Sequence, residues 1–160
     1  MDNQQGNDLD LAWLAGFIDG EGSITFKVQR GERLRGLNLV YYYPSVRICN
    51  TDYPTLKVVT DILDAHNLPY HVSHRKPEFR PGYHAAWDVE VKGLKRCERW
   101  LLTIAPYLRT KQGKAYLMLE YINSRKNYSM GAGYSTREEE ILDLLRVRPN
   151  RPQRPNANTA

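Results

Sequence analysis

Cysteine is scarce in this chain. Cys49 and Cys97 are the only two in 160 residues. They are too few for a disulfide framework and lack the spacing of a metal-binding cluster, so they read as buried thiols of an intracellular protein. Long apolar runs are missing too. The uncharged run Leu11–Ile18 is far shorter than the roughly 20 residues a membrane span needs. The N-terminus is polar, without the apolar core of a secretory leader. Beyond Arg148 the chain is Pro, Arg and Asn with only small apolar residues, Ala157 and Ala160, and such a segment has little to bury. The expectation is one soluble domain over 8–147, in cytoplasm or an organelle, with flexible tails at 1–7 and 148–160 and no membrane partner.

The charge that is present is uneven. The net charge is +5, from 23 Lys+Arg against 18 Asp+Glu. Residues 27–47 carry Lys27, Arg30, Arg33, Arg35 and Arg47 against Glu32, a net +4. Residues 92–114 carry a net +6, whereas 52–64 carry −2. Positive charge gathered in two segments points to a polyanion partner, most often nucleic acid.

Hydrophobic spacing orders the elements. Leu9, Leu11, Leu14, Ala15 and Ile18 recur at helical intervals, predicting a helix over 8–19 capped by Asp8 and stopped by Gly20 and Gly22. Ala12 and Gly16, four apart, form a small-residue pair that admits another helix. Ile24, Phe26 and Val28 alternate with Thr25, Lys27 and Gln29, a strand with one apolar and one polar face. A longer, tyrosine-rich strand is expected over 36–48, with Pro44 at a bulge or edge. Then come a helix from Thr51 or Asp52 to Ala65 with Pro54 in its first turn, and strands at 71–75 and 85–91. Helices at 93–104, 108–126 and 136–147 follow, the last opened by a capping box of Ser135 and Glu138. Two hairpins separated by a helix imply an α+β fold, an antiparallel sheet with helices on one face and a polar, basic face open.

Strand alternation assigns that open face. Val46, Ile48, Trp87, Val89 and Val91 point to the core with Ile24, Phe26 and Val28. Thr25, Lys27, Gln29, Tyr41, Tyr43, Ser45, Arg47, His71, Ser73, Arg75, Asp88 and Glu90 point away. The mixture suits base readout: Arg and Lys for guanine, Gln for adenine, Asp or Glu for cytosine N4. Arg30, Arg33, Lys76 and Arg80, in turns, suit phosphates. The expected partner is double-stranded DNA, with no small-molecule substrate. A strand of about 13 residues reaches roughly 40 Å, about one turn of duplex.

Residues 13–22, WLAGFIDGEG, resemble the signature of the LAGLIDADG homing endonucleases, with Phe17, Gly20 and Glu21 as mild departures. The helix and hairpin order over about residues 8–125 is similar to the whole single-motif domain, the αββαββα form with a saddle-shaped four-stranded sheet. The motif occurs once, and the resemblance implies a homodimer of the intron-encoded type, its seam formed by Leu11, Ala12, Ala15, Gly16 and Asp19. It implies Glu21 as ligand of Mg²⁺, or another divalent cation such as Mn²⁺, with the Gly20 carbonyl as a second ligand. It implies Asn50 as a residue that positions water and Lys111 as a lysine near the scissile phosphate. Asp19 is expected to serve packing or capping as readily as metal. Relatives often have a basic residue just after the second strand, where this chain reads Thr51-Asp52-Tyr53-Pro54; Arg109 is the candidate substitute. The implied activity is a metal-dependent double-strand break in a long, roughly palindromic site, leaving short 3′ overhangs. The alternatives are an RNA-splicing maturase, a non-cleaving DNA-binding regulator, or a restriction-type metal site built on Glu90-Val91-Lys92.

Overall fold

The apolar periodicity around Leu11–Ile18 does form a helix, and it is longer than expected. In the computed structural model, which describes residues 2–30, 40–76, 82, 84–128 and 133–146, α1 runs Asp2–Glu21. Asp8 therefore lies inside the helix rather than capping it. Its carboxylate accepts a hydrogen bond from Tyr107 Oη at 2.9 Å. Gly20 belongs to the last turn, and the stop falls at Gly22. There a Cβ would sit 2.8 Å from both the Ile18 Cα and the Ile18 carbonyl oxygen, so only glycine lets the strand leave so close to the helix.

β1 (Gly22–Arg30) and β2 (Val40–Asn50) pair antiparallel from Gly22 opposite Ile48 to Arg30 opposite Val40. β2 pairs in turn with β4 (Ala86–Lys92), which pairs with β3 (His71–Arg75). The sheet order is β1-β2-β4-β3, antiparallel throughout. β2 ends two residues later than expected, and its expected start at 36–39 lies outside the described residues. Between the hairpins, α2 (Tyr53–Ala65) opens on Asp52, whose carboxylate accepts from Thr55 N and Thr55 Oγ1.

α3 (Leu94–Ile104) follows, then a short 3₁₀ turn at Ala105–Tyr107, α4 (Gln112–Arg125) and α5 (Thr136–Arg146). The capping box forms: Ser135 N donates to Glu138 Oε2 and Glu138 N donates to Ser135 Oγ. α4 starts four residues later than its apolar pattern suggests, because the segment before it is tied to α1, as described below. No helix among the described residues is long and apolar enough to cross a membrane.

The core lies between the helices and one sheet face. Leu14 and Ile18 of α1 belong to one buried cluster with Ile24, Val46, Ile48, Val89, Trp100 and Ile122. Phe26 packs edge-on against Tyr121, ring centroids 4.7 Å apart. Val28, expected in this core, is 54% exposed, because the β1–β2 ribbon projects beyond the helices. β4 begins pairing with β2 only at Ser45, so the ribbon would leave a bare edge. Side chains cover it instead. Tyr121 Oη donates to the Tyr42 carbonyl at 3.0 Å, Tyr42 N donates to Tyr134 Oη at 3.2 Å, and Tyr134 Oη donates to the Val40 carbonyl. Pro44, expected at a bulge or edge, stands opposite Phe26 in the inner strand β2, and Gly93 N donates to its carbonyl just where the pairing with β4 runs out.

Gly22→Ala forces the new methyl into the Ile18 backbone, which cannot swing aside as a side-chain tip could. The expected loss is about 1–3 kcal/mol, read as a lower urea midpoint with unchanged slope. An unchanged midpoint would refute this packing account.

Candidate nucleic-acid interface and metal corner

The register confirms the face assigned by alternation. One row across the sheet reads Ser23, Arg47, Glu90, His71; the next rows read Thr25, Ser45, Lys92 and Cys49, Asp88, Ser73. Lys27 stands opposite Tyr43, Gln29 opposite Tyr41, and Arg75 opposite Ala86. Tyr41 and Tyr43 stack their rings at 6.3 Å. Ser23, Cys49 and Lys92 belong to the same face, and extending the same alternation by one step at each strand end finds them. Lys76 is exposed just after β3. Arg33, Arg80 and the Arg30 side chain lie outside the described residues.

The two acids on this face are not free acceptors for a base edge. Glu90 accepts from Ser45 Oγ at 2.7 Å and pairs with Lys92 at 3.0 Å and Lys27 at 3.3 Å. Burial works to raise its pKa, yet Ser45 and the two lysines outweigh burial and hold it below the usual carboxylate range. Asp88 pairs with Arg75 at 2.8 Å and lies 3.7 Å from Arg47. Ser45 and Asp88 are themselves buried. These acids sit beneath the cations as counter-charges and fix where the basic side chains stand. The same pairing occupies the Glu90-Val91-Lys92 tripeptide. Among the described residues no group of three or more His, Cys, Asp and Glu gathers as a metal cluster.

At the end of α1, two side chains exchange roles across about ninety residues of sequence. A helix leaves its last carbonyls without intrahelical partners. Lys111 Nζ donates to the carbonyls of Ile18 at 2.7 Å, Asp19 at 2.7 Å and Gly22 at 2.8 Å. In return the Asp19 carboxylate accepts from Arg109 N at 2.7 Å, Lys111 N at 2.9 Å and Thr110 Oγ1 at 3.0 Å. Burial works against the charged form of Asp19, but those donors prevail and lower its pKa. Burial lowers the Lys111 pKa, aided by Lys114 and opposed by Asp19 and Glu21. Asp19, expected at a dimer seam, is committed within its own chain. All three Lys111 donors are committed as well.

What remains at the corner is oxygen. Gly20 and Glu21 are exposed, and the Gly20 carbonyl is not among the three that Lys111 takes. A carboxylate beside a carbonyl suits a hard cation that retains water and takes few protein ligands. Asn50 ends β2, two residues past Ile48, the partner of Gly22. Its Oδ1 accepts from Asp52 N at 2.9 Å, which directs its role as acceptor toward α2. The Arg109 side chain is exposed, and its backbone N–H serves Asp19.

Helical phase divides the expected seam. Leu11 and Ala15 are buried in the chain's own core, while Ala12 and Gly16 are exposed. Leu9, 66% exposed, and Trp13, 43% exposed, flank them; the same phase would have found both. A Cβ on Gly16 or Gly20 would meet nothing within 4 Å.

No family model matches the sequence, and no curated protein matches it. Solved structures do. The homing endonuclease I-CvuI bound to its target in the presence of Ca superposes with a TM-score of 0.63 at 20% identity, covering 88% of this chain and 97% of that one. I-TnaI, also a homing endonuclease, gives 0.54 at 15% identity over 85% of this chain and 97% of that one. The LAGLIDADG homing endonuclease I-GzeII, in complex with its DNA target, gives 0.56 at 16% identity, with 84% of this chain covering 42% of that one. The fold of this chain is the α+β fold of these LAGLIDADG homing endonucleases.

Asp19 supplies a pH test. Its lowered pKa adds stability that is present above its unfolded pKa, about 3.9, and is lost as pH falls through the lower folded value. Asp19→Asn is expected to destabilise the chain by about 1–2 kcal/mol at neutral pH. Urea melts should show the gap between variant and wild type narrowing below pH of about 4. A gap that does not change with pH would contradict the charged role.

Proposed function

We propose that the chain is a homodimeric, site-specific homing endonuclease that cuts both strands of a long, roughly palindromic DNA target. The observation that carries this reading is the α1 corner. There Lys111 caps the neighbouring carbonyls, while Gly20 and Glu21 are exposed at the strand exit and their oxygens are not taken by Lys111. The donor set fits Mg²⁺, or Mn²⁺ in its place. A divalent ion there would neutralise charge on the phosphoryl oxygens and lower the pKa of a bound water.

The chain's own residues do the rest. Glu21 and Gly20 would hold the ion. The Asn50 amide N–H₂ group is left to orient water, since its carbonyl is engaged at α2. Lys111 adds a fixed positive charge beside the scissile phosphate and keeps the corner in place. The polar sheet face would lie in the major groove, with Lys27, Arg47 and Arg75 held on their counter-charges. Thr25, Gln29, Tyr41, Tyr43, His71 and Ser73 would meet base edges. Cleavage would leave short 3′ overhangs, and the biological role would be intron homing.

Two copies are needed to read two half-sites. Gly16 and Gly20 each weaken an α-helix by about 1 kcal/mol relative to alanine, and nothing in their own chain needs the space. With Ala12, Leu9 and Trp13 they make an exposed, close-approach stripe suited to the same stripe on a second copy.

The test is a plasmid carrying the uninterrupted version of the locus that encodes the chain, incubated with and without Mg²⁺. One specific double-strand break is expected. Glu21→Gln should slow it by about a hundredfold or more while retaining binding in Ca²⁺. Tight binding without a break would instead favour the maturase or regulator. In sedimentation the wild type is expected to run as a dimer and Gly16→Leu as a folded monomer; a wild-type monomer on its full site would refute the symmetric reading.

A further inference from the structure

Where the β3–β4 hairpin meets the start of α3, a groove of about 430 Å³ is lined by Pro69, Tyr70, His71, Glu90, Lys92 and Arg96, among others. We propose that this groove seats a phosphodiester of the DNA backbone, with Lys92 and Arg96 as its cationic ligands. The inference rests on the DNA-binding reading above and adds a site to it.

Charge comes first. Glu90 is the one acid in the lining; Lys92 pairs with it at 3.0 Å within the groove, and Ser45 and Lys27 engage it from outside. Lys92 is 57% exposed in its side chain and Arg96 is exposed. Among the described residues, Arg96 has neither a hydrogen bond nor an ion pair from its side chain. Two cations over one already countered acid leave the groove positive. An arginine fork beside a lysine is a donor set for phosphate oxygens.

The wall is built before any ligand arrives. Trp100 Nε1 donates to the Pro69 carbonyl at 2.8 Å, and Arg99 Nη2 donates to the Asn67 carbonyl at 2.7 Å. Leu68 N donates to the Leu63 carbonyl, and Tyr70 Oη donates to Asp64 at 3.1 Å. The 67–70 turn is pinned to α2 and α3, and it presents a tyrosine ring and a proline for the apolar side of a sugar. A rigid seat lowers the ordering cost of binding.

Position selects DNA over a free anion. Lys92 lies in the sheet row of Thr25 and Ser45, and His71 in the row of Arg47 and Glu90. The groove therefore adjoins the same face as the base-reading side chains. It sits where β2 runs on past the end of β4 and the ribbon projects, so a duplex lying along the ribbon would pass its strand over this corner.

The experiment measures binding of a labelled duplex of about 30 bp and arbitrary sequence across about 50–300 mM KCl, where each lost phosphate contact lowers the log–log salt slope by roughly 0.9. Lys92→Gln/Arg96→Gln is expected to lower the slope by about 1–2 and weaken binding several-fold at low salt. The control Lys57→Gln/Lys126→Gln removes the same charge from helix surfaces away from the groove and should leave the slope unchanged. Equal slopes for wild type and the groove variant would overturn the proposal, as would an equal drop in the control. Loss of binding to a labelled nucleoside monophosphate, with duplex binding intact, would overturn it in favour of a small-anion site. A wild-type chain that does not bind duplex would overturn the DNA reading itself, whereas binding with an unchanged slope overturns only the seat.

Discussion

The exchange between Lys111 and Asp19 is the constraint on which the end of α1 and its exit into β1 depend. α1 buries one side in the core and must then hand its chain directly to β1, with no loop between Glu21 and Gly22. That abrupt exit strands carbonyls that an ordinary helix end would show to water. An ammonium with three donors, reaching in from the segment before α4, satisfies three of them. The backbone that carries this lysine is in turn fixed by the Asp19 carboxylate. Each end of the exchange holds the other's backbone, so the junction cannot relax at one side alone. The late start of α4 and the glycine at position 22 both follow from this junction. The same pairing leaves the Gly20 carbonyl and the Glu21 side chain outside the bonds that Lys111 makes at the exit.

The polar sheet face follows a second rule. Exposed cations set side by side would repel and wander. Here two acids lie beneath them, Asp88 buried and Glu90 half-buried, each touching two bases. The acids lose part of their hydration, and the cations gain a fixed position above the sheet. Such a face is positive overall while its side chains keep definite places, which is useful when discrimination depends on hydrogen-bond geometry rather than on charge alone. Cys49 joins this network by accepting from Arg75.

The projecting ribbon is supported from behind. Tyr121 and Tyr134 bond the backbone of Tyr42, and Tyr134 also reaches the Val40 carbonyl. Tyr134 is positioned by its packing with Arg125, whose guanidinium stands 4.5 Å from its ring and pairs with the buried Glu138. The capping box of α5 thus does more than start a helix: its glutamate anchors the arginine that steadies the tyrosine on the ribbon. An open strand edge invites pairing with other chains, and hydroxyls close this one without adding a fifth strand.

Much of the fold was legible in residue order. Period-two alternation placed β1, β3 and β4 within a residue or so and assigned each side chain to its face, because strand geometry leaves only two faces to choose between. Asp52, Pro54 and the Ser135–Glu138 pair marked their helix starts, because capping chemistry is local. The misreadings share one cause: each depended on what lay opposite. Leu11 and Ala15 look like seam residues until the chain buries them against itself. Val28 looks like core until the helices stop short of it. Asp88 and Glu90 look like base readers until four cations, one from each strand, close over them. Residue order alone carried the elements and the strand faces, because periodicity and capping act within a few residues. Only the tertiary structure decided that Asp19 and Lys111 brace the α1 corner and that the acids serve as counter-charges. Those roles join residues up to about ninety positions apart, and no local spacing records such a contact.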